Sequence, residues 1–126
     1  MKIEWESIRY VKSGTAKNPK EFPQEDGVYV IAQKNDNVLE ARYVGRGNIN
    51  DRIDYHESND EDNECVKSVM KDRVDKVKVY YVTLSGDEDR KNIEYTLYKH
   101  YKNNNHRLCN KTVPEGKWIT DLSLPF

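Results

Sequence analysis

The chain has 126 residues, 34% charged and 36% hydrophobic, with a mean hydropathy of -1.01, so one domain is expected and no stretch approaches the ~20 apolar residues a membrane span needs. Lys and Arg number 21 against 22 Asp and Glu, a net charge of -1, which removes the strongly basic signature that announces a nucleic-acid binder unaided while leaving nucleic acid open as a partner. The opening MKIEWESIRY has no uncharged run of signal-peptide length, so a cytoplasmic chain without a membrane partner is expected.

Residues 3–11 place Ile3, Trp5 and Val11 at strand spacing, and 12–26 read as loop from their glycine, prolines and lysines. Gly27–Gln33 is apolar on both alternating faces, as in a strand buried on both sides. The polar 34–37 turns the chain, and Val38–Gly45 resumes the extended pattern to complete an antiparallel hairpin. Asn48 or Asn50 caps a helix on which Arg52 and His56 share one side. Residues 57–64 hold five acids and no base, and read as a solvated loop because the glycine and terminal glutamate of a calcium loop are missing. Cys65–Arg73 reads as a short helix, and 76–84 as a third strand. From Asp87 to Lys102 the residues Ile93, Leu97 and Tyr101 recur every fourth position, the stripe of an amphipathic helix facing the sheet. The tail after Asn103 reads as irregular until Trp118. Cys65 and Cys109 lack CxxC or Cys/His ligand spacing and read as free buried thiols in a reducing compartment, not a zinc site. Asn110-Lys111-Thr112 matches a glycosylation sequon that is incidental without a secretion signal.

The chemistry gathers at Gly27-Val28-Tyr29, Tyr43-Val44-Gly45, Arg52 with His56, Glu94 on the late helix, and Asn110 after it. In order and context these resemble the GIY-YIG endonuclease superfamily, from Gly27 to Asn110, about two thirds of the chain. Either tripeptide alone is a weak signal; six matching positions on the expected elements are a fairly specific one. The resemblance implies an α+β domain, a small three-stranded antiparallel sheet flanked by helices, with 1–26 an amino-terminal extension, 27–110 the motif core and 111–126 a tail. It implies a metal-dependent phosphodiesterase acting on nucleic acid, DNA ahead of RNA, with Glu94 as the single metal-binding carboxylate and Asn110 steadying the site. Arg46 stands directly after the second motif where relatives often have Lys or a small residue, and the interval from Gly45 to Arg52 is about one residue short, which makes Arg46 the substitute cation.

The residues can be judged on their own chemistry. Phosphodiester hydrolysis needs a deprotonated water, positive charge around the phosphorane-like transition state, and help for the departing oxygen. Glu94 sits about 100° from the Ile93/Leu97 stripe and so borders the buried face, where a ligand belongs. A lone carboxylate holds one Mg²⁺ or Mn²⁺ weakly before substrate arrives, because Mg²⁺ keeps most of its waters. Tyr29 is the candidate general base, directly or through water, and its phenol needs a nearby cation to act at neutral pH. Arg52 is assigned to the scissile phosphate, and His56 accepts a hydrogen bond from Tyr29 or shuttles a proton. With nine Tyr against two Phe, core packing is the plain reading for Tyr29 and Tyr43. Between Arg90 and Lys111 six bases face one acid, so Lys99, Lys102, Arg107 and Lys111, with Arg46, are candidate phosphate contacts; a basic run on a helix is more often a solvated face. The alternative function is a non-catalytic binding module for nucleic acid or a protein, favoured by the near-neutral charge and the acidic loop. A third and weaker idea, phosphate transfer at Gly45-Arg46-Gly47, falls far short of a phosphate-loop signature. If Tyr29 and Tyr43 both serve a site they must share a sheet face, which demands an odd hairpin loop or a bulge.

Overall fold

The computed structural model describes residues 1–9, 22–72 and 76–126. Most of the loop read at 12–26, and Val11, lie outside them. The elements are β1 (Glu6–Arg9), β2 (Asp26–Asn35), β3 (Val38–Asn48), α1 (Ile49–Glu57), α2 (Glu64–Met70), β4 (Val77–Thr83) and α3 (Asp87–Asn103). The strands form one sheet in the order β1-β4-β2-β3, each neighbouring pair antiparallel. The sheet therefore has four strands, not the three expected. The extra one, Glu6–Arg9, falls within the 3–11 segment read at strand spacing and adds to the outer edge of β4; its partner is some seventy residues away in sequence, so local spacing did not show which strand it joins.

β2 lies between β4 and β3, and Val28, Tyr29, Val30, Ile31 and Ala32 are all at most 1% exposed. An antiparallel sheet often has one wet face; this one has none at β2, because helices cover both sides. On one side Tyr29, Ile31, Val77 and Val79 pack with Ile49 and Ile53 of α1 and with Val66, Val69 and Met70 of α2. On the other, Val28, Val30, Ala41 and Val44 meet the α3 stripe Ile93, Leu97 and Tyr101, the spacing read from sequence. Residues after Asn103 form no helix or strand, and the irregular course continues past Trp118, which is 54% exposed. Ile119, Leu122 and Phe126 close the second core instead. Ser123 O accepts the Trp5 indole N–H at 2.9 Å, so the two ends of the chain meet over that face.

The hairpin turn is the two residues Asp36 and Asn37, both with positive φ (51° and 68°), the conformation of a type I′ turn and one that Asp and Asn tolerate. A two-residue loop alone would put Tyr29 and Tyr43 on opposite faces. The ladder shifts between Ile31 and Ala32, whose partners are Tyr43 and Ala41, so Arg42 is an extra residue on β3. This bulge changes the parity: Tyr43 stands opposite Ile31 and Gly45 opposite Tyr29, and both tyrosines face α1. Their ring centroids are 6.2 Å apart.

Candidate functional site

β3 passes into α1 without a loop, since its last residue Asn48 is the N-cap and its side chain accepts from Asp51 N–H at 3.0 Å. The helix is thereby fixed against the sheet, and Arg52 and His56, one turn apart, come under the two tyrosines. Tyr29 reaches them by crossing Gly45. A Cβ at Gly45 would stand 2.4 Å from the Tyr29 hydroxyl and 2.5 Å from its ring, so the second motif's glycine leaves the room through which the first motif's tyrosine passes. Gly27 has a similar reason: a Cβ there would stand 2.1 Å from Val82 O.

The Tyr29 hydroxyl and His56 Nε2 are hydrogen-bonded at 2.6 Å. The Arg52 guanidinium charge acts on both Tyr29 and Tyr43, favouring their ionised forms. Burial drives the Tyr29 phenol far above its ordinary pKa, with Tyr43 adding to the rise and Arg52 opposing it; burial also raises Tyr43, against Arg52. His56 is 2% exposed, and burial lowers its pKa, as does Arg52, while a hydrogen bond to Glu61 opposes the shift. The imidazole is therefore neutral at neutral pH. It is not the exposed member of a surface pair, although Arg52 is half-buried. A cavity of about 310 Å³ opens beside the group, lined by Tyr43, Arg52, His56, Asn110 and Lys111, with the acids Glu61 and Asp62. A larger groove of about 530 Å³ lies elsewhere, among Ser7, Leu39 and three lysines, with no acid in its lining.

Asn110 acts on the backbone. Its side chain accepts from Val44 N–H at 3.0 Å and donates to Val44 O at 2.8 Å, pairing the outer edge of β3 between Tyr43 and Gly45. The segment before it is held by Cys109 N–H donating to Arg42 O and by Asn63 Nδ2 donating to Cys109 O at 3.0 Å. Cys109 also forms a disulfide with Cys65, with Cα atoms 5.4 Å apart. This corrects the reading of two free thiols: Asn63 caps α2 while bonding Cys109 O, which brings the cysteines together across 44 residues of sequence, a proximity their spacing could not show.

Glu94 lies across the edge strand from this pocket, two turns into α3. Its charge acts on Tyr29, Tyr43 and Arg52. The carboxylate is 13% exposed, and its Oε1 accepts from Arg46 Nε at 3.0 Å; burial raises its pKa and Arg46 opposes the rise. Arg46 also approaches Asp87 (3.6 Å) and Glu115 (3.7 Å). Among the described residues no group of three or more metal-ligating side chains is assembled. Glu94, the carboxylate expected from the sequence to hold a single divalent ion, has its Oε1 taken up by Arg46.

The candidate phosphate contacts separate. Lys111 lines the pocket. Arg107 is bound in a two-point pair to Glu40 on β3, at 2.7 and 2.9 Å, and holds that carboxyl down at about 2 through its hydrogen bond. Lys99 and Lys102 are on α3, half-buried and exposed respectively, and line none of these cavities. Sequence reasoning missed Glu61. It is 3% exposed within a run read as a solvated loop, and its Oε2 accepts from His56 Nδ1 at 2.5 Å while Oε1 accepts from Asn63 N–H at 2.9 Å. A position five after the histidine was the available signal, hidden among four other acids.

No family model, no curated protein and no solved structure matches the chain. No helix among the described residues is long and apolar enough to cross a membrane.

Proposed function

We propose that the chain is a metal-dependent phosphodiesterase acting on nucleic acid, DNA ahead of RNA, and a compact member of the GIY-YIG type. The observation that supports this best is the convergence of Tyr29, Tyr43, Arg52 and His56 beside one polar cavity, through the Tyr29–His56 hydrogen bond, the ring contacts of Tyr43 with both, and the Arg52 charge that acts on all three, with Glu94 close enough to act on Tyr29, Tyr43 and Arg52. A fold that used these tyrosines only for packing would not need a buried histidine on the Tyr29 hydroxyl and an arginine charge acting on both phenols.

In this reading the scissile phosphate enters beside Arg52 and Lys111. Tyr29 is fully buried and the Arg52 charge acts on its phenol; Arg52 turns outward onto the phosphate and the space it leaves admits the attacking water next to Tyr29. The water proton passes to the Tyr29 oxygen as the phenol proton passes to His56 Nε2; the water oxygen forms the new bond to phosphorus and the bond to the departing oxygen breaks. The departing oxygen takes a proton from solvent, and His56 later returns its own to solvent. Arg52 stabilises the charge that builds on phosphorus-bound oxygens, a role its fixed charge and planar donors suit. Glu94 would hold one Mg²⁺ or Mn²⁺, which supplies charge neutralisation on the phosphate and assistance to the departing oxygen.

A second reading, a non-catalytic module of the same fold for nucleic acid or a protein, is favoured by the ion pair that occupies Glu94. Labelled single-stranded, duplex and branched DNA and RNA, incubated with Mg²⁺ or Mn²⁺ against EDTA, separates the two. Cleavage abolished by EDTA is expected; intact substrates in all arms would transfer the weight to the module.

A further inference from the structure

The His56 ring has partners at both nitrogens. Nε2 faces a hydroxyl and Nδ1 faces a carboxylate, and both partners are enclosed, with Tyr29 at 0% exposure and Glu61 at 3%. A neutral imidazole carries one N–H, and its position is decided by the partner that can only accept. The Glu61 orientation is itself set by Asn63 N–H on Oε1, which leaves Oε2 for the ring. We propose that Glu61 is a positioning residue of this site, holding His56 with the proton on Nδ1 so that Nε2 stays open to the Tyr29 proton and the imidazolium that forms is stabilised by an adjacent carboxylate. The logic is that of the carboxylate behind the histidine in serine hydrolases, which orients the ring and stabilises its charged form. The proton moves from Tyr29 to Nε2, from which His56 later returns it to solvent; Glu61 accepts a hydrogen bond throughout and takes no proton.

The other groups facing the ring are Tyr43 from β3 and Arg52 and Tyr55 from α1, with Asp62 and Lys111 lining the same cavity. Arg52 disfavours the imidazolium and Glu61 favours it, so Glu61 is the group that keeps the ring able to accept a proton beside an arginine. The kinetic side of this inference rests on the nuclease reading; the tautomer does not.

Glu61→Gln tests it. Asn63 N–H keeps the amide oxygen, so the amide NH₂ faces Nδ1 and forces the ring proton to Nε2, where it opposes the Tyr29 hydroxyl. Two-dimensional ¹H–¹⁵N spectra of the imidazoles, only three in the chain, are expected to show the Nδ1–H tautomer for His56 in the parent at pH 7.5 and the Nε2–H tautomer in Glu61→Gln. kcat is expected to fall by about 10²-fold or more with KM within about threefold, and Glu61→Asp to keep the parental tautomer and recover part of the rate. An Nε2–H parent overturns the proposal without any variant, which covers the case of a variant that fails to fold. So does Glu61→Gln with parental tautomer and kcat. If the parent cleaves nothing, the nuclease reading fails, while the tautomer pair still upholds or overturns the positioning role.

Discussion

Adding one methyl group at Gly45 probes the geometry on which the whole arrangement depends. In Gly45→Ala the new Cβ would lie 2.4 Å from the Tyr29 hydroxyl, 2.5 Å from Cζ and 2.9 Å from Cε1, contacts that ordinary packing does not tolerate. The ring cannot yield toward α1, where Ile49 and Ile53 are at most 1% exposed, so it must tilt away from His56 and give up the 2.6 Å hydrogen bond. Overpacking of this kind costs about 1–3 kcal/mol, and a buried hydroxyl left without its partner costs about 1–3 kcal/mol more. A loss of about 2–6 kcal/mol follows, a large share of the ~5–15 kcal/mol a domain has in total. Urea denaturation monitored by far-UV circular dichroism measures it. A double-mutant cycle identifies the cause: Tyr29→Leu removes the end of the ring that the methyl meets, so Gly45→Ala should cost at least about 1 kcal/mol less in that background. Strict additivity, or a Gly45→Ala protein within about 0.5 kcal/mol of the parent, would refute the claim that Gly45 exists to let Tyr29 through.

Arg52→Ala should keep the parental circular dichroism and lower kcat/KM by about 10²-fold or more, the scale of a charge-stabilising group, while Arg46→Ala should cost less and shift the Mg²⁺ dependence to lower concentration by freeing Glu94; the reverse order in a cleavage assay would make Arg46 the phosphate ligand. Replacing both Cys65 and Cys109 by Ser opens a loop of 44 residues, and chain entropy puts the loss of stability at about 4 kcal/mol; an unchanged urea midpoint in non-reducing buffer would show that the link does not form. The pKa of His56 lies below its usual 6.5 through burial, so the unfolded chain takes up the proton first and stability should decline as pH falls below about 6.5. Glu40, held at about 2 against its usual 4.5 by Arg107, should add a second decline between about pH 4.5 and 2. Urea midpoints from pH 8 to 3 test both, and a flat profile between pH 7.5 and 5 contradicts the His56 part.

Elements whose signal is local were legible. The helix cap at Asn48 or Asn50, which the structure places at Asn48, the Ile93, Leu97 and Tyr101 stripe, and the apolar run of β2 each state their structure within one or two turns of chain. The parity requirement on Tyr29 and Tyr43 was also readable, and the bulge at Arg42 satisfies it, although nothing in the residues around 42 marks where it falls. What escaped depends on distant partners. The strand spacing at 3–11 was readable, but not that Glu6–Arg9 pairs with the edge of β4. Cys65 and Cys109 meet only through the cap on α2. Glu61 is buried because His56 offers it a donor, and composition treats it like the four solvated acids around it. Within the basic run after Arg90, Arg107 is paired with Glu40 of β3, a partner its own segment does not reveal.

Glu94→Gln separates enzyme from binding module most directly. The substitution keeps the size and the acceptor for Arg46 but removes the charge that would hold the divalent ion. Cleavage rate and nucleic-acid affinity are recorded for parent and variant across one Mg²⁺ titration. The account predicts EDTA-sensitive cleavage by the parent, at least about 10²-fold slower cleavage by the variant at every Mg²⁺ concentration, and affinity in the variant equal to or above the parent, since an uncompensated carboxylate beside a phosphate is repulsive. A variant that cleaves at the parental rate would contradict it.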